Sequence, residues 1–219
     1  MFPSTLRATR SAKAAIPLRD SCSDDEELTP PKDYNLVVPD GWFKLSLDPE
    51  LRDRHIIALA EHQFRGIDHA PLLKDQVMRE LRKTAKDAYR AGGLELYLST
   101  LQVGPLPLSS SLLISFPVPG TMPESSSTQE VAGALSRRGA DARVVTLTAA
   151  GRAVREFRAE SASPSTQLGN ELPTTTVKYY VPVPATDEWL ILSFSTPLDP
   201  LAHQMTGLFD AVANTLHWS

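Results

Sequence analysis

The chain has 219 residues, of which 42% are hydrophobic, and a formal net charge of −4 at pH 7. This length and composition fit one globular domain with an additional tail. The acidic balance argues against a general binder of nucleic acid or of acidic membranes, and no apolar run reaches the roughly 20 residues that a transmembrane helix needs.

A single cysteine, Cys22, excludes an internal disulfide and a zinc site built mainly from cysteines. It fits a reducing compartment. Because the basic N-terminus lacks the apolar core of a secretory signal peptide, the sequence predicts a cytoplasmic protein.

Residues 1–32 mix serine, threonine, proline and charge, with an acidic run from Asp24 to Glu27. Such a composition buries too little apolar surface to fold by itself. We therefore expect a flexible tail over 1–32, which serves either as a docking segment or as a solvated extension. A single α+β domain is expected over 33–219, with a mainly antiparallel sheet packed against three main helices.

The domain is expected to begin with a hairpin of two strands, Tyr34–Val38 and Trp42–Leu47. The turn between them contains Asp40-Gly41, which supplies the positive φ that a tight hairpin needs. A helix then begins at Asp48-Pro49 and ends near Gly66, since proline is well tolerated in the first turn of a helix.

A longer helix is predicted from Pro71 to Ala91, stopped by Gly92-Gly93. Apolar residues repeat at helical spacing on one face. The outer face is basic and carries four candidate partner-binding residues, Arg79, Lys83, Lys86 and Arg90. Two interpretations stay open: a docking surface for an acidic partner, and a solvated face balanced in part by neighbouring acids.

After Gly93 the apolar period changes from 3.6 to two, which is typical of strands. The segment Ala149–Glu160 fits both a helix and a strand, and Gly151 favours a hairpin turn followed by a strand. The polar segment Ser161–Pro173 is expected to be a loop. The other expected elements are strands over Leu94–Leu98, Leu112–Val118, Arg143–Thr148, Thr175–Val183 and Trp189–Phe194, and a short helix over Glu130–Leu135.

Three further candidate partner-binding residues, Arg152, Arg155 and Arg158, lie in the predicted strand after Gly151. Clustered arginines can receive a phosphate or an acidic peptide. Alternatively, they cover a sheet edge and discourage edge-to-edge pairing.

The C-terminal stretch Glu188–Trp218 predicts a buried strand, a proline-containing turn and a closing amphipathic helix. We expect Asp199, just before Pro200, to cap the first turn. The apolar stripe of this helix, which runs to Leu216, should face the sheet.

No motif for a nucleophilic serine, a phosphate-binding loop or a dinucleotide occurs in the chain. His55 and His62 are seven residues apart, so they lie about 10 Å from each other along a helix and cannot bind one metal unaided. The sequence predicts no cofactor and no metal. It favours a non-enzymatic accessory or adaptor protein that binds a protein partner. The alternative is a small-ligand or enzyme site in a sheet–helix cleft, with His55, His62 or Arg155 as polar groups.

The run YYVPVPATDEWLILSFSTPLDPLAHQMTGLFDAVANTLHW from Tyr179, together with GRAVREF at Gly151, resembles a group of uncharacterised actinobacterial proteins with a similar ending. The order of elements is also similar to the Mog1/PsbP-like architecture, in which an antiparallel sheet packs against helices. This resemblance implies a bacterial protein and a non-catalytic binding or assembly role. It brings no active-site motif to these positions, and a fold by itself does not specify a function.

Overall fold

The computed structural model describes residues 29–65, 71–103, 106–118, 120–122, 127–160 and 173–219. Most of the predicted tail, including Cys22 and the acidic run, lies outside these residues, as does most of the predicted loop over 161–173.

Strands and helices occupy most of the described chain. The strands are β1 (Tyr34–Asn35), β2 (Trp42–Ser46), β3 (Gly93–Ser99), β4 (Gln102–Val103), β5 (Leu106–Pro107), β6 (Ser111–Ser115), β7 (Asp141–Leu147), β8 (Gly151–Glu160), β9 (Thr174–Pro182), β10 (Trp189–Thr196) and β11 (His217–Trp218). The helices are α1 (Pro49–Gln63), α2 (Pro71–Arg90), α3 (Thr128–Arg137) and α4 (Ala202–Ala213), and a 3-10 turn over Asp199–Leu201 precedes α4.

Seven strands form the central sheet in the order β2-β3-β6-β10-β9-β8-β7, with every neighbouring pair antiparallel. Two small ribbons, β1-β11 and β4-β5, lie beside it. The predicted α+β class with a mainly antiparallel sheet is confirmed. No helix within the described ranges has the length and apolar character needed to cross a membrane.

One face of the sheet is covered by α4. Phe209, Val212 and Leu216 are buried in one cluster with Leu192 and Phe194 of β10. The rings of Phe194 and Phe209 stack with centroids 5.0 Å apart. Full burial of a large apolar side chain contributes roughly 1.5–3 kcal/mol, so this contact anchors the closing helix.

The opposite face carries the other three helices at its two ends. Leu45 and Leu96 pack with Ile56 of α1 and Ala85 of α2 over β2 and β3. Over β7 and β8, Val131 and Leu135 of α3 join a separate cluster. Helix α2 therefore lies at the β2–β3 end of the sheet, packed on α1 and β3, with its other side exposed to solvent.

Helix ends follow the expected local chemistry. The Asp48 side chain accepts a hydrogen bond from the backbone N of Glu50 at 2.9 Å, with Pro49 in the first turn. Ser127 caps the N-terminus of α3, because its Oγ accepts a hydrogen bond from the backbone N of Glu130. The same hydroxyl donates to Glu130 Oε2. Gly92 after α2 and Gly151 at the start of β8 have φ of +81° and +84°, so the predicted turns at both positions are confirmed.

The predicted first hairpin is wrong. The turn at Gly41 exists, with φ +85°, but β2 pairs with β3, and Tyr34–Asn35 pairs with β11. The segment before the turn is attached to the C-terminal region because Leu36 and Val38 are buried in the core that contains Leu216. Burial in that core outweighs the local tendency to form a hairpin.

The closing helix also differs from its prediction. The 3-10 turn at Asp199 has no side-chain cap hydrogen bond, and α4 ends at Ala213, before Leu216. Leu216 is nevertheless fully buried. After the helix, Thr215 Oγ1 accepts a hydrogen bond from the backbone N of Val37, and His217 and Trp218 pair with β1.

Candidate protein-binding surface

The predicted basic face of the second helix is present as a straight stripe. Arg79, Lys83, Lys86 and Arg90 are four, three and four residues apart, which places them within about 60° of arc on a helix of 3.6 residues per turn. All four side chains are exposed. We call these four residues the α2 stripe, and it extends about 17 Å at 1.5 Å per residue.

The α2 stripe lies opposite the side of α2 that packs on the domain. That packing side contains Ala85, which is fully buried, and the partly buried Met78, Leu81 and Ala88. Ala85 is the only buried residue of the twenty in α2. The helix therefore rests on α1 and β3 by a narrow contact and presents the α2 stripe outward.

Gly93 allows the C-terminal end of α2 to pack closely against the sheet. Gly93 is buried, and a Cβ there would lie 2.6 Å from the carbonyl oxygen of Ala88 and 2.7 Å from Leu47 Cδ1. These distances are too short for any side chain. This close approach fixes the angle between α2 and β3, and therefore the position of the α2 stripe.

The cations of the α2 stripe are nearly unpaired. Arg90 Nη1 lies 3.7 Å from Asp87 Oδ1, in an exposed pair that contributes little. Within the described ranges Arg79, Lys83 and Lys86 form no ion pair. Arg82, on the flank of the helix, is instead turned to Asp53 of α1 at 3.2 Å. The stripe is a local positive surface on an acidic chain.

Two leucines stand exposed at the N-terminal end of the same helix. The exposed fractions of Leu72 and Leu73 are 83% and 54%. Leu72 precedes Arg79 by seven residues, so it lies almost in line with the α2 stripe. An apolar contact therefore adjoins the positive one.

The structure separates the three candidate arginines of β8. Side chains alternate between faces along a strand, so Arg155 lies on the face covered by α4, and Arg152 and Arg158 lie on the other. Arg152 is exposed, and Arg158 is 41% exposed and 2.6 Å from Glu156 Oε1. They do not form one basic surface.

Arg155 is engaged in holding α4 to the sheet. Its side chain is only 8% exposed, and its Nε lies 2.9 Å from Oδ1 of Asp210 on α4. The hydroxyl of Tyr179, paired with Arg155 across the strands, donates to the same Asp210 oxygen. Burial, followed by the hydrogen bond and charge of Asp210, raises the pKa of Tyr179 well above its ordinary value.

Two similar clusters occur elsewhere in the sheet, and the sequence reasoning missed them. The carboxylate of buried Glu95 accepts from Lys44 Nζ at 2.6 Å and from Tyr97 OH at 2.7 Å. The sequence gives little sign of this cluster. Glu95 and Tyr97 share a face of β3, but Lys44 lies beside them only because β2 pairs with β3.

The third cluster lies on β8 and β9. Glu156 Oε2 accepts from the hydroxyl of Tyr180 at 2.5 Å, and Oε1 accepts from Arg158. Burial raises the pKa of Tyr180, and the hydrogen bond to Glu156 and the charge of that carboxylate raise it further. Burial likewise raises the pKa of Tyr97, followed by the charge and the hydrogen bond of Glu95. In all three clusters a carboxylate is bound by a cation and by a tyrosine hydroxyl, so these side chains join neighbouring strands, or α4, to one another.

The polar residues of the alternative site do not converge. His55 Nδ1 accepts from the backbone N of Ser46 at 3.0 Å and its ring packs edge-on to Phe43, whereas His62 is exposed. In the part of the chain that the structure covers, no three His, Cys, Asp or Glu side chains are grouped to hold a metal ion.

Comparison with known proteins gives a likeness of architecture. No protein-family model matches the chain, and no curated protein does. The solved structures similar to it include the Ran-binding protein Mog1p of Saccharomyces cerevisiae, with 12% identity, a TM-score of 0.44 and coverage of 84% of this chain and 89% of that one. LpqN of Mycobacterium tuberculosis, involved in cell envelope biogenesis, has 14% identity, a TM-score of 0.43 and coverage of 89% and 86%.

The cyanobacterial PsbP of Synechocystis is also similar, with 14% identity, a TM-score of 0.33 and coverage of 91% of this chain and 98% of that one. The actinobacterial origin stays a prediction. The likeness is one of remote, Mog1/PsbP-like architecture, and it carries no conclusion about partners or activity.

Proposed function

We propose that this chain is a non-catalytic, intracellular accessory protein that binds an acidic segment of a protein partner along the α2 stripe. The observation that carries the proposal is the alignment of four exposed cations, three of them without an ion pair in the described chain, on the side of α2 opposite its packing face.

Charge supports an acidic partner. One exposed ion pair contributes only about 0.2–1 kcal/mol, but four cations in a row act together on a partner with matching carboxylates. Complementary charge also speeds the encounter and discriminates against the wrong partners. Because the stripe is exposed, this contribution should weaken as salt shortens the Debye length to about 8 Å near 0.15 M.

The leucines at the start of α2 define the partner further. Interfaces take most of their energy from a few desolvated anchors, and polar contacts around them add specificity. Leu72, at 83% exposure and nearly in line with the stripe, is suited to contact one apolar side chain of the partner. The expected partner segment carries three or four carboxylates with an apolar residue at one end of them.

The test compares two variants with equal net charge. The stripe variant carries Arg79→Gln, Lys83→Gln and Lys86→Gln. The control carries Arg137→Gln, Arg138→Gln and Arg143→Gln, which are exposed cations of α3, its C-cap and β7, at the other end of the sheet from α2. Proteins captured from the native cell by the unsubstituted chain at near-native expression are identified, and each Kd is measured with all three baits at low and physiological salt.

We expect a partner with an acidic segment whose Kd rises at least about tenfold with the stripe variant and less than about twofold with the control. Failure to recover any partner, or equal loss of affinity in both variants, would contradict the proposal.

A further inference from the structure

Part of the sheet face opposite α4 lies between the two groups of helices. On that face α1 and α2 pack over β2 and β3, and α3 packs over β7 and β8. Four strand spacings of about 4.8 Å separate β3 from β8, which is about 19 Å. A helix is about 10 Å wide, so a gap of about 9 Å remains between the helices. The strands β6, β10 and β9 form the floor of this gap, which we call the central trough.

Small polar side chains line the floor of the central trough. Side chains alternate between faces along a strand, so the residues that alternate with those buried under α4 point into the trough. They are half-buried, as expected at the bottom of a recess. Five of them lie next to one another: Ser111 of β6, Ser193 and Ser195 of β10, and Thr176 and Lys178 of β9. The floor therefore combines four hydroxyl groups with one ammonium group.

The cation on this floor lacks a counter-charge. Within the described ranges Lys178 forms no ion pair. Its cross-strand neighbour Glu156 is already engaged, because it accepts from Arg158 through Oε1 and from Tyr180 through Oε2. A half-buried ammonium group is partly desolvated, and its attraction for an anion is stronger there than in bulk water. The trough therefore favours a negatively charged ligand.

Two hydroxyl groups beside Lys178 are also available. Ser193 is paired with Lys178 across the strands, and Thr176 lies two residues before Lys178 on the same face of β9. Neither hydroxyl has a hydrogen-bond partner among the described residues, whereas those of Ser111 and Ser195 bind each other at 2.8 Å. Neither is enclosed, because the buried side-chain atoms that lack a partner in the described chain lie elsewhere. Three donors therefore occupy neighbouring positions on a rigid sheet.

We propose that the central trough binds the phosphate group of a small molecule, with Lys178 Nζ as counter-charge and the hydroxyls of Ser193 and Thr176 as hydrogen-bond donors. A phosphate monoester has about two negative charges at pH 7 and three strongly accepting oxygens, which matches three donors of which one is charged. Leu113 of β6 is half-buried and paired with Ser193. The rest of the ligand is therefore expected to place an apolar part beside Leu113.

None of these side chains belongs to the α2 stripe. Phosphate binding in the central trough and partner binding along the α2 stripe are therefore separate proposals, and each can fail alone.

Phenyl phosphate is the probe, because it joins a phosphate group to one apolar ring. It is titrated into the isotope-labelled full chain, and the Kd and the location of binding are taken from backbone amide shifts. We expect the shifts to centre on Thr176, Lys178 and Ser193. Benzoate keeps the ring but has one charge and two oxygens, so it should bind at least about fivefold more weakly.

Two substitutions test the donors. Lys178→Met keeps most of the side-chain volume without the charge, and should raise the Kd of phenyl phosphate about tenfold, or about 1.4 kcal/mol. Ser193→Ala removes one hydroxyl and should raise it about fivefold. The control Lys32→Gln removes an equal charge at an exposed position beside the β1-β11 ribbon, and should change the Kd less than about twofold.

If Lys178→Met does not fold, Ser193→Ala and the positions of the shifted amides decide. Shifts on α2 instead of the trough, equal affinity for benzoate, or an unchanged Kd in the trough variants would overturn the proposal.

Discussion

Asp210→Asn should destabilise the domain substantially, although Asp210 is itself 39% exposed. The reason is its partner, since the side chain of Arg155 is 8% exposed and has the Asp210 carboxylate as its counter-charge. Arg155 donates to both carboxylate oxygens, through Nε to Oδ1 at 2.9 Å and through Nη2 to Oδ2 at 3.4 Å. The amide would leave this guanidinium buried and charged without its anion.

The expected size follows from the geometry. Removing one partner of a fully buried ion pair typically costs about 3–5 kcal/mol, and each hydrogen bond to a charged group about 1.5–3 kcal/mol. Water already screens the exposed side of Asp210, so we take a lower value of about 2–3 kcal/mol. Asparagine retains an oxygen that can accept from Tyr179, which also limits the loss.

The matched variant is Arg155→Met. It removes the buried charge and replaces the stem of the side chain with apolar volume, while Asp210 stays hydrated and hydrogen-bonded to Tyr179. The large cost of breaking a buried ion pair comes from the charge that stays buried, and here the remaining charge, Asp210, is 39% exposed, so we expect a loss of about 1 kcal/mol or less. Urea denaturation at pH 7 measures both, with unchanged m-values as the sign of a common unfolded state. An Arg155→Met variant that is as unstable as Asp210→Asn would refute the reasoning.

Three further predictions concern the core, a turn and pH. Phe209→Ala should cost about 3–5 kcal/mol in free energy of unfolding, measured in urea, because the ring is fully buried; retained stability would contradict the packing. Gly92→Ala should cost about 1 kcal/mol or more, because φ is +81° and the new Cβ would lie 3.0 Å from a carbonyl oxygen; an equal melting temperature would contradict it. Because the pKa values of Tyr97, Tyr179 and Tyr180 are raised on folding, their contribution is full below about pH 10 and falls above it by up to about 1.4 kcal/mol per pH unit for each tyrosine. Urea midpoints that stay constant from pH 9 to 11 would contradict this.

Local patterns were sufficient to predict most elements. The stop at Gly92-Gly93 and the entry at Asp48-Pro49 act within one helical turn, so the chain itself specifies the ends of α1 and α2. Gly151 resolved the ambiguous segment correctly, since a positive φ is needed there whatever packs around it. The exposed side of α2 was also predictable, because its polar residues fall on one arc.

The predictions that were wrong concern contacts between distant parts of the chain. The two residues of β1 carry too little pattern to select a partner, and β11 lies 184 positions away. Arg155 looked like part of a basic strand, but Asp210, 55 residues later, decides its role.

The ribbon of β1 and β11 has a mechanical consequence. Backbone N–H groups of Lys32 and Asp33 donate to the carbonyl oxygen of Ser219, and Ser219 N donates back to Asp33. The two segments run antiparallel, with Asp33 and Ser219 at the same end. A force applied between Asp33 and Ser219 therefore breaks the hydrogen bonds of the ribbon one residue pair at a time. This requires less force than shearing whole strands past each other, which breaks all their hydrogen bonds together. Under load the ribbon would yield first, while the seven-stranded sheet bears the remainder.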